Sequence, residues 1–171
     1  MELLKLQDRK NFDTKKSKIR VYLASPFWSP EANHALAQME EVFMDNPNFE
    51  AFSPRLFGIG DGDTINDEKW DKIFQENVTR IQWADYVIVN TTGTKKDANG
   101  NLIGSDTGTI WETGASFAWN KKVVYYNPFL GDNKFNVMLA KSGHATCTTY
   151  EDLVEFAKNP EKQIKYNGKT Q

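Results

Sequence analysis

Ile19-Arg20-Val21-Tyr22-Leu23-Ala24-Ser25-Pro26-Phe27-Trp28-Ser29-Pro30-Glu31 is the stretch that decides the fold. Its first six residues form an apolar run too short for a helix and closed by Ser25-Pro26. Such a run is a strand covered on both faces, which is the habit of parallel sheets. Five residues later Ser29-Pro30-Glu31 marks a helix start: a serine cap, proline at the first helical position and an acid in the first turn. Ala32, Ala35, Leu36, Met39, Val42 and Phe43 keep the helical period, and Asn46-Pro47 ends it.

The same alternation continues outward. Phe49 to Phe52 reads as a second strand, followed by a loop from Ser53 to Asn66 rich in glycine and aspartate (Gly58, Gly60, Asp61, Gly62, Asp63). Asn66 or Asp67 caps a helix whose apolar face is Trp70, Ile73, Phe74, Val78 and Ile81. Tyr86 to Val89 is the third strand. A polar stretch from Thr91 to Ser105 contains Asn99-Gly100, a hairpin-turn signal. A helix from Asp106–Gly108 to about Asn120, a fourth strand at Val123–Tyr126 and a short helix at Lys134–Lys141 follow. A fifth strand is expected at Ala145–Thr148, and Thr149-Tyr150-Glu151-Asp152 is a capping box for the last helix. Strand alternating with helix predicts a doubly wound α/β domain. Five strands suggest the flavodoxin-like parallel order 2-1-3-4-5, with ligands beyond the carboxyl ends of the strands. Residues 1–18 read as a flexible arm, 19–160 as the catalytic domain and 161–171 as a polar tail.

Composition narrows the chemistry. Twenty-one basic against 23 acidic residues, a formal charge of −2, argue against binding a nucleic-acid backbone. One cysteine, Cys147, excludes an internal disulfide, and with two histidines it leaves no zinc framework. Neither a spanning apolar run nor a secretory h-region is present, so the expectation is a cytoplasmic protein off the membrane. Aromatic residues make up 13% of the chain, with five tryptophans. Two readings stay open: a ring-rich core and subunit contact, or a pocket that stacks on a flat ligand.

The turn after Ala24 has no glycine, and no GxxxxGK[ST] occurs, which disfavours dinucleotide and phosphate-loop chemistry. Neither His34 nor His144 has the context of a serine or cysteine hydrolase. The informative stretch is Asp106-Thr107-Gly108-Thr109-Ile110-Trp111-Glu112-Thr113-Gly114. Acids near a helix N-terminus gain a few tenths to about 1 kcal/mol from the helix dipole. The alternative is a carboxylate nucleophile that attacks an anomeric carbon, with a second carboxylate to hold a sugar hydroxyl. Tyr22, at the end of the first strand, could donate to such a nucleophile.

Four stretches resemble the nucleoside 2-deoxyribosyltransferases: Tyr22-Leu23-Ala24-Ser25-Pro26-Phe27, Gln75 to Asp85, Asp106-x-Gly108-x-x-x-Glu112-x-Gly114, and Phe135-Asn136-Val137-Met138. The resemblance implies that Glu112 is the nucleophile at C1′ of a 2′-deoxynucleoside and that Tyr22 holds its carboxylate. It implies that Asp106 binds a deoxyribose hydroxyl beside Gly108, and that Phe27 and Trp28 flank the base. Asn136, with Met138, would reach a neighbouring subunit's site in a homo-oligomer, commonly a hexamer built as a trimer of dimers. The partners would be a 2′-deoxynucleoside and a free base, with no cofactor and no metal. One position departs: Asn77 stands where most family members carry an aspartate that exchanges a proton with the base, so that either Glu76 or Asp71 takes the role or base departure relies on hydrogen bonding alone. The C-terminus departs too, ending Lys169-Thr170-Gln171 where relatives end on an aromatic, with Tyr166 the candidate replacement. Two further readings remain: an N-glycosidic hydrolase of a deoxynucleoside or its 5′-monophosphate, and a non-catalytic nucleotide-binding module.

Overall fold

Ser29 caps the first helix as its sequence requires: its side chain accepts the Ala32 N–H at 3.1 Å. The computed structural model describes residues 17–57 and 66–171. Most of the expected arm and the glycine-rich part of the loop after the second strand lie outside the described residues. In chain order the elements are β1 (Ile19–Ala24), α1 (Pro30–Met44), β2 (Phe49–Phe52), α2 (Pro54–Phe57), α3 (Asp67–Trp83), β3 (Tyr86–Asn90), β4 (Lys95–Lys96) and β5 (Leu102–Ile103). Then come α4 (Thr107–Ala118), β6 (Lys122–Tyr126), α5 (Val137–Ser142), β7 (Ala145–Cys147) and α6 (Tyr150–Lys158).

Five strands form a parallel sheet in the order β2-β1-β3-β6-β7, the 2-1-3-4-5 order of a doubly wound fold. Tyr22 of β1 stands in register with Phe52 of β2 and Val87 of β3. The side-chain alternation of a strand separates two cores. Val21, Leu23, Ile88 and Val124 pack with Leu36, Met39 and Phe43 of α1 and Leu153 and Phe156 of α6. Tyr22, Val87, Val89 and Tyr125 face the other side with Phe52, Ile81 and Phe135. Truncating Leu36 or Leu153, both essentially inaccessible, to alanine costs about 2–5 kcal/mol.

Short-range differences have local causes. The Asn99-Gly100 turn closes a two-stranded hairpin, β4–β5, with Gly100 at φ 82°. Helix α5 starts at Val137 rather than Lys134, because the Asn136 side chain accepts the N–H groups of Met138 and Leu139 and so sets the helix origin. The polar residues 161–171 bond back to the domain: Val137 N–H donates to the Gln171 carbonyl and Thr146 N–H to that of Ile164, both at 3.0 Å. Among the described residues, no helix is long and apolar enough to cross a membrane.

Candidate active site

The carboxyl ends of β1 and β3 are joined by a buried asparagine. The Asn90 amide donates to Ser25 Oγ at 2.9 Å and to the Ala32 carbonyl at 3.0 Å, and its Oδ1 accepts the Thr92 N–H. This fixes the crevice where the strand order reverses, and α4 enters that crevice N-terminus first. Asp106 caps α4: its Oδ2 accepts the Thr109 N–H at 2.8 Å and the Thr109 hydroxyl at 2.9 Å. A Cβ at position 108 would lie 3.2 Å from that oxygen, so glycine there leaves room around the carboxylate.

Glu112 lies farther along α4. Tyr22, fully buried in β1, donates its hydroxyl to Glu112 Oε1 at 2.6 Å. Burial pushes the Glu112 carboxyl up to about 7; the Tyr22 hydrogen bond opposes that rise, and the charge of Asp106 adds to it. The Tyr22 hydroxyl is held well above its ordinary value, chiefly by burial and then by the Glu112 charge. Tyr22 is therefore a neutral donor at any working pH, and Glu112 is an acceptor poised to ionise near neutrality.

These groups open on a cavity of about 280 Å³ lined by Phe27, Trp28, Arg55, Trp70, Asn77, Asp106, Gly108 and Glu112, among others. The Phe27 and Trp28 rings lie 4.3 Å apart between centroids. A larger cavity of about 500 Å³ lies beside the β4–β5 hairpin and α5, and includes Asn136 and Gln171. It holds neither Asp106 nor Glu112; both carboxylates line the smaller cavity.

The profile of the Nucleoside 2-deoxyribosyltransferase family matches residues 21–146, a span from β1 through the start of β7. The chain belongs to the nucleoside 2-deoxyribosyltransferase family. Its structure is similar to that of a 2-deoxyribosyltransferase from Bacillus psychrosaccharolyticus, with a TM-score of 0.69 at 28% identity over 86% of this chain and 98% of that one. It shares its fold with a conserved protein from Enterococcus faecalis, with a TM-score of 0.63 at 16% identity over 84% and 99% of the two chains. The Leishmania mexicana 2-desoxiribosyltransferase shares it with a TM-score of 0.51 at 13% identity over 82% and 98%. A sequence search of curated proteins finds no match.

Against the deoxyribosyltransferase pattern, the protomer gathers Tyr22, Phe27, Trp28, Asn77, Asp106, Gly108 and Glu112 around one cavity. It does not bring Asn136 or Met138 there: Asn136 caps α5, and Met138 is 74% exposed. Glu76 is ion-paired to Arg80 at 2.7 Å, and Asp71 borders an outer groove; neither lines the cavity. Tyr166 packs on Phe135 at 5.3 Å between centroids and donates to the Lys169 carbonyl, also outside the cavity. Trp111 packs on Phe74. On α3, Ile81 is buried whereas Trp70 and Phe74 are half-exposed, because only the C-terminal part of the helix lies against the sheet core.

The residue that sequence reasoning passed over is Arg55. Its Nε donates to Glu40 Oε1 at 3.0 Å, one terminal nitrogen pairs with Glu40 Oε2, and the other donates to Asn33 Oδ1 at 3.0 Å. Asn33 in turn donates to the Phe27 carbonyl at 3.0 Å, and Ser53 Oγ to Glu40 at 2.6 Å. This network ties the Phe27–Trp28 wall to the wall after β2. Its available signal was a lone arginine directly after a strand's carboxyl end, where ligands bind in this architecture.

Proposed function

We propose that the protein transfers 2-deoxyribose between nucleobases through a covalent deoxyribosyl-Glu112 intermediate. The observation that carries this reading is the Tyr22–Glu112 hydrogen bond at the floor of an aromatic-walled cavity. Glu112 attacks C1′ as its carboxylate and the first base leaves; a second base then attacks the same carbon from the vacated face, with net retention. Tyr22 holds the carboxylate oriented, Asp106 takes a deoxyribose hydroxyl beside Gly108, Phe27 and Trp28 stack on the base, and Asn77 hydrogen-bonds it. Asn136 and Met138 complete a neighbouring subunit's site in a homo-oligomer, a hexamer built as a trimer of dimers. The work is nucleoside salvage in the cytoplasm, and the chemistry needs no metal or cofactor.

Arg55 bears on the hydrolase alternative, since a 5′-monophosphate needs a cation. The Arg55 charge is already countered by Glu40, which supports a neutral nucleoside as substrate. The test is incubation with deoxyuridine and free hypoxanthine. Formation of deoxyinosine is expected; uracil release without a new nucleoside would make the protein a hydrolase, and no turnover of deoxyuridine, deoxycytidine, deoxyinosine or deoxyadenosine would make it a binding module.

A further inference from the structure

We infer that Arg55 selects the nucleobase, favouring bases that carry a carbonyl oxygen over those that carry an exocyclic amino group at the same ring position: 6-oxopurines over 6-aminopurines and 4-oxopyrimidines over 4-aminopyrimidines. The inference rests on the transferase reading and names the substrate class of that same site.

Both carboxylates that line the cavity among the described residues, Asp106 and Glu112, belong to the first turns of α4. The sugar must lie against that wall, because C1′ has to meet Glu112. The base then fills the remainder, bounded by Phe27, Trp28, Arg55 and Asn77. Of these, Asn77 offers an amide that can turn to present either its donors or its acceptor. Arg55 can offer only donors.

The Arg55 guanidinium has five N–H groups. Glu40 and Asn33 engage three, leaving two with no protein partner among the described residues. Those same bonds hold the side chain in place, and through Asn33 they register it against the Phe27 carbonyl and so against the stacking wall. A fixed donor accepts no compromise. A carbonyl oxygen on the base takes its hydrogen bond; an amino group at that position sets donor against donor and leaves both unpaired. Sites that hydrogen-bond a substrate group reject the mismatched analogue far more strongly than apolar pockets do.

The same contact assists departure. As Glu112 forms its bond to C1′, the C1′–N bond breaks and its electron pair passes to the base nitrogen and is delocalised onto the carbonyl oxygen. Arg55 and Asn77 donate to that anion, and water supplies the proton that the free base finally carries. An amino base has no such oxygen to place there, and among the described residues no carboxylic acid lines its side of the cavity.

The experiment measures kcat/KM for base release from deoxyinosine against deoxyadenosine, and from deoxyuridine against deoxycytidine, by wild type and by the double variant Glu40→Gln/Arg55→Gln. The double variant removes the ion pair as a unit, so no half-buried charge is left alone, and its melting temperature is checked in parallel. Wild type is expected to favour the oxo partner of each pair roughly 10- to 100-fold. In the variant the glutamine amide that replaces the Arg55 guanidinium can turn to accept, which is expected to bring both ratios within about threefold. A variant-independent arm measures inhibition by the free bases: hypoxanthine should inhibit wild type at lower concentration than adenine. Equal or reversed preference in wild type, with turnover intact, overturns the proposal and leaves the transferase reading standing. A preference that the folded double variant retains in full also overturns it. No release from any of the four nucleosides overturns the transferase reading and the base preference together.

Discussion

The Tyr22 hydroxyl and the Glu112 carboxylate, 90 residues apart in the chain, meet at 2.6 Å where β1 ends beside the first turns of α4. The phenol is wholly buried and cannot ionise in the working range, so Tyr22 is always the donor toward an ionised Glu112. Tyr22→Phe removes a hydrogen bond to a charged group without changing the packing volume much. Transfer is expected to fall roughly 10- to 100-fold. The loss should come with a displaced pH profile, because the bond is what opposes the burial of Glu112. A kcat/KM profile of the variant should show its acid limb at higher pH than wild type; an unmoved limb would mean that Tyr22 only packs.

The Glu112 carboxyl also predicts a stability signature. Its folded value, about 7, lies above the unfolded one, so the folded state binds this proton more tightly. The stabilisation is complete below the ordinary value near 4.5 and is lost as pH rises through about 7. The difference amounts to about 3 kcal/mol at the upper end. Glu112→Gln cannot ionise, so relative to wild type it should gain stability across that window and be the more stable protein at pH 8 to 9. Urea unfolding of both proteins at pH 5 and pH 8.5 checks the sign. Parallel stability curves for the two would contradict a buried, ionising Glu112.

Trp28 is 71% exposed yet lines the cavity against Phe27, an arrangement that leaves a ring face for a flat ligand. Trp28→Ala should raise KM for nucleoside and for acceptor base by roughly tenfold, since stacking on one aromatic ring is worth about 1–3 kcal/mol. Its melting temperature should stay near that of wild type, because little area is buried in the protomer. A variant with unchanged KM would remove Trp28 from the site.

Asn77 lines the cavity with an amide that cannot donate a proton as an acid. Asn77→Asp introduces one, and base release from deoxyadenosine should rise roughly tenfold or more at the pH where the new carboxyl is protonated. The gain should vanish as pH increases through its titration. A rate that is higher but independent of pH would point to altered packing rather than proton transfer.

How far the sequence carried these conclusions follows the range of the signals. The apolar run Ile19–Ala24 and the alternation after it are local, and they yielded strand order and crevice position because parallel sheets obey strong connection rules. The Asp106–Gly114 motif is local too: the Asp106 cap, Gly108 and the Glu112 carboxylate all lie within the first turns of α4. Arg55 was not legible in that way. Its partners Asn33 and Glu40 come from α1, and only the folded sheet brings α1 against the segment after β2. The backbone bonds that hold residues 161–171 are independent of side-chain type, so a polar composition concealed them. Trp70 and Phe74 follow the helical period of a buried face, but Trp70 lines the cavity and Phe74 packs on Trp111, so both stay half-exposed.

Glu112 is proposed to carry the sugar between bases. Intact-protein mass spectrometry, after rapid quenching of the enzyme with deoxyuridine and no acceptor base, tests it directly. An added mass of one deoxyribosyl unit is expected, mapped by peptide analysis to Glu112, absent in Glu112→Gln and discharged when hypoxanthine is supplied. Transfer that proceeds with no adduct, or with the adduct on another residue, would contradict it.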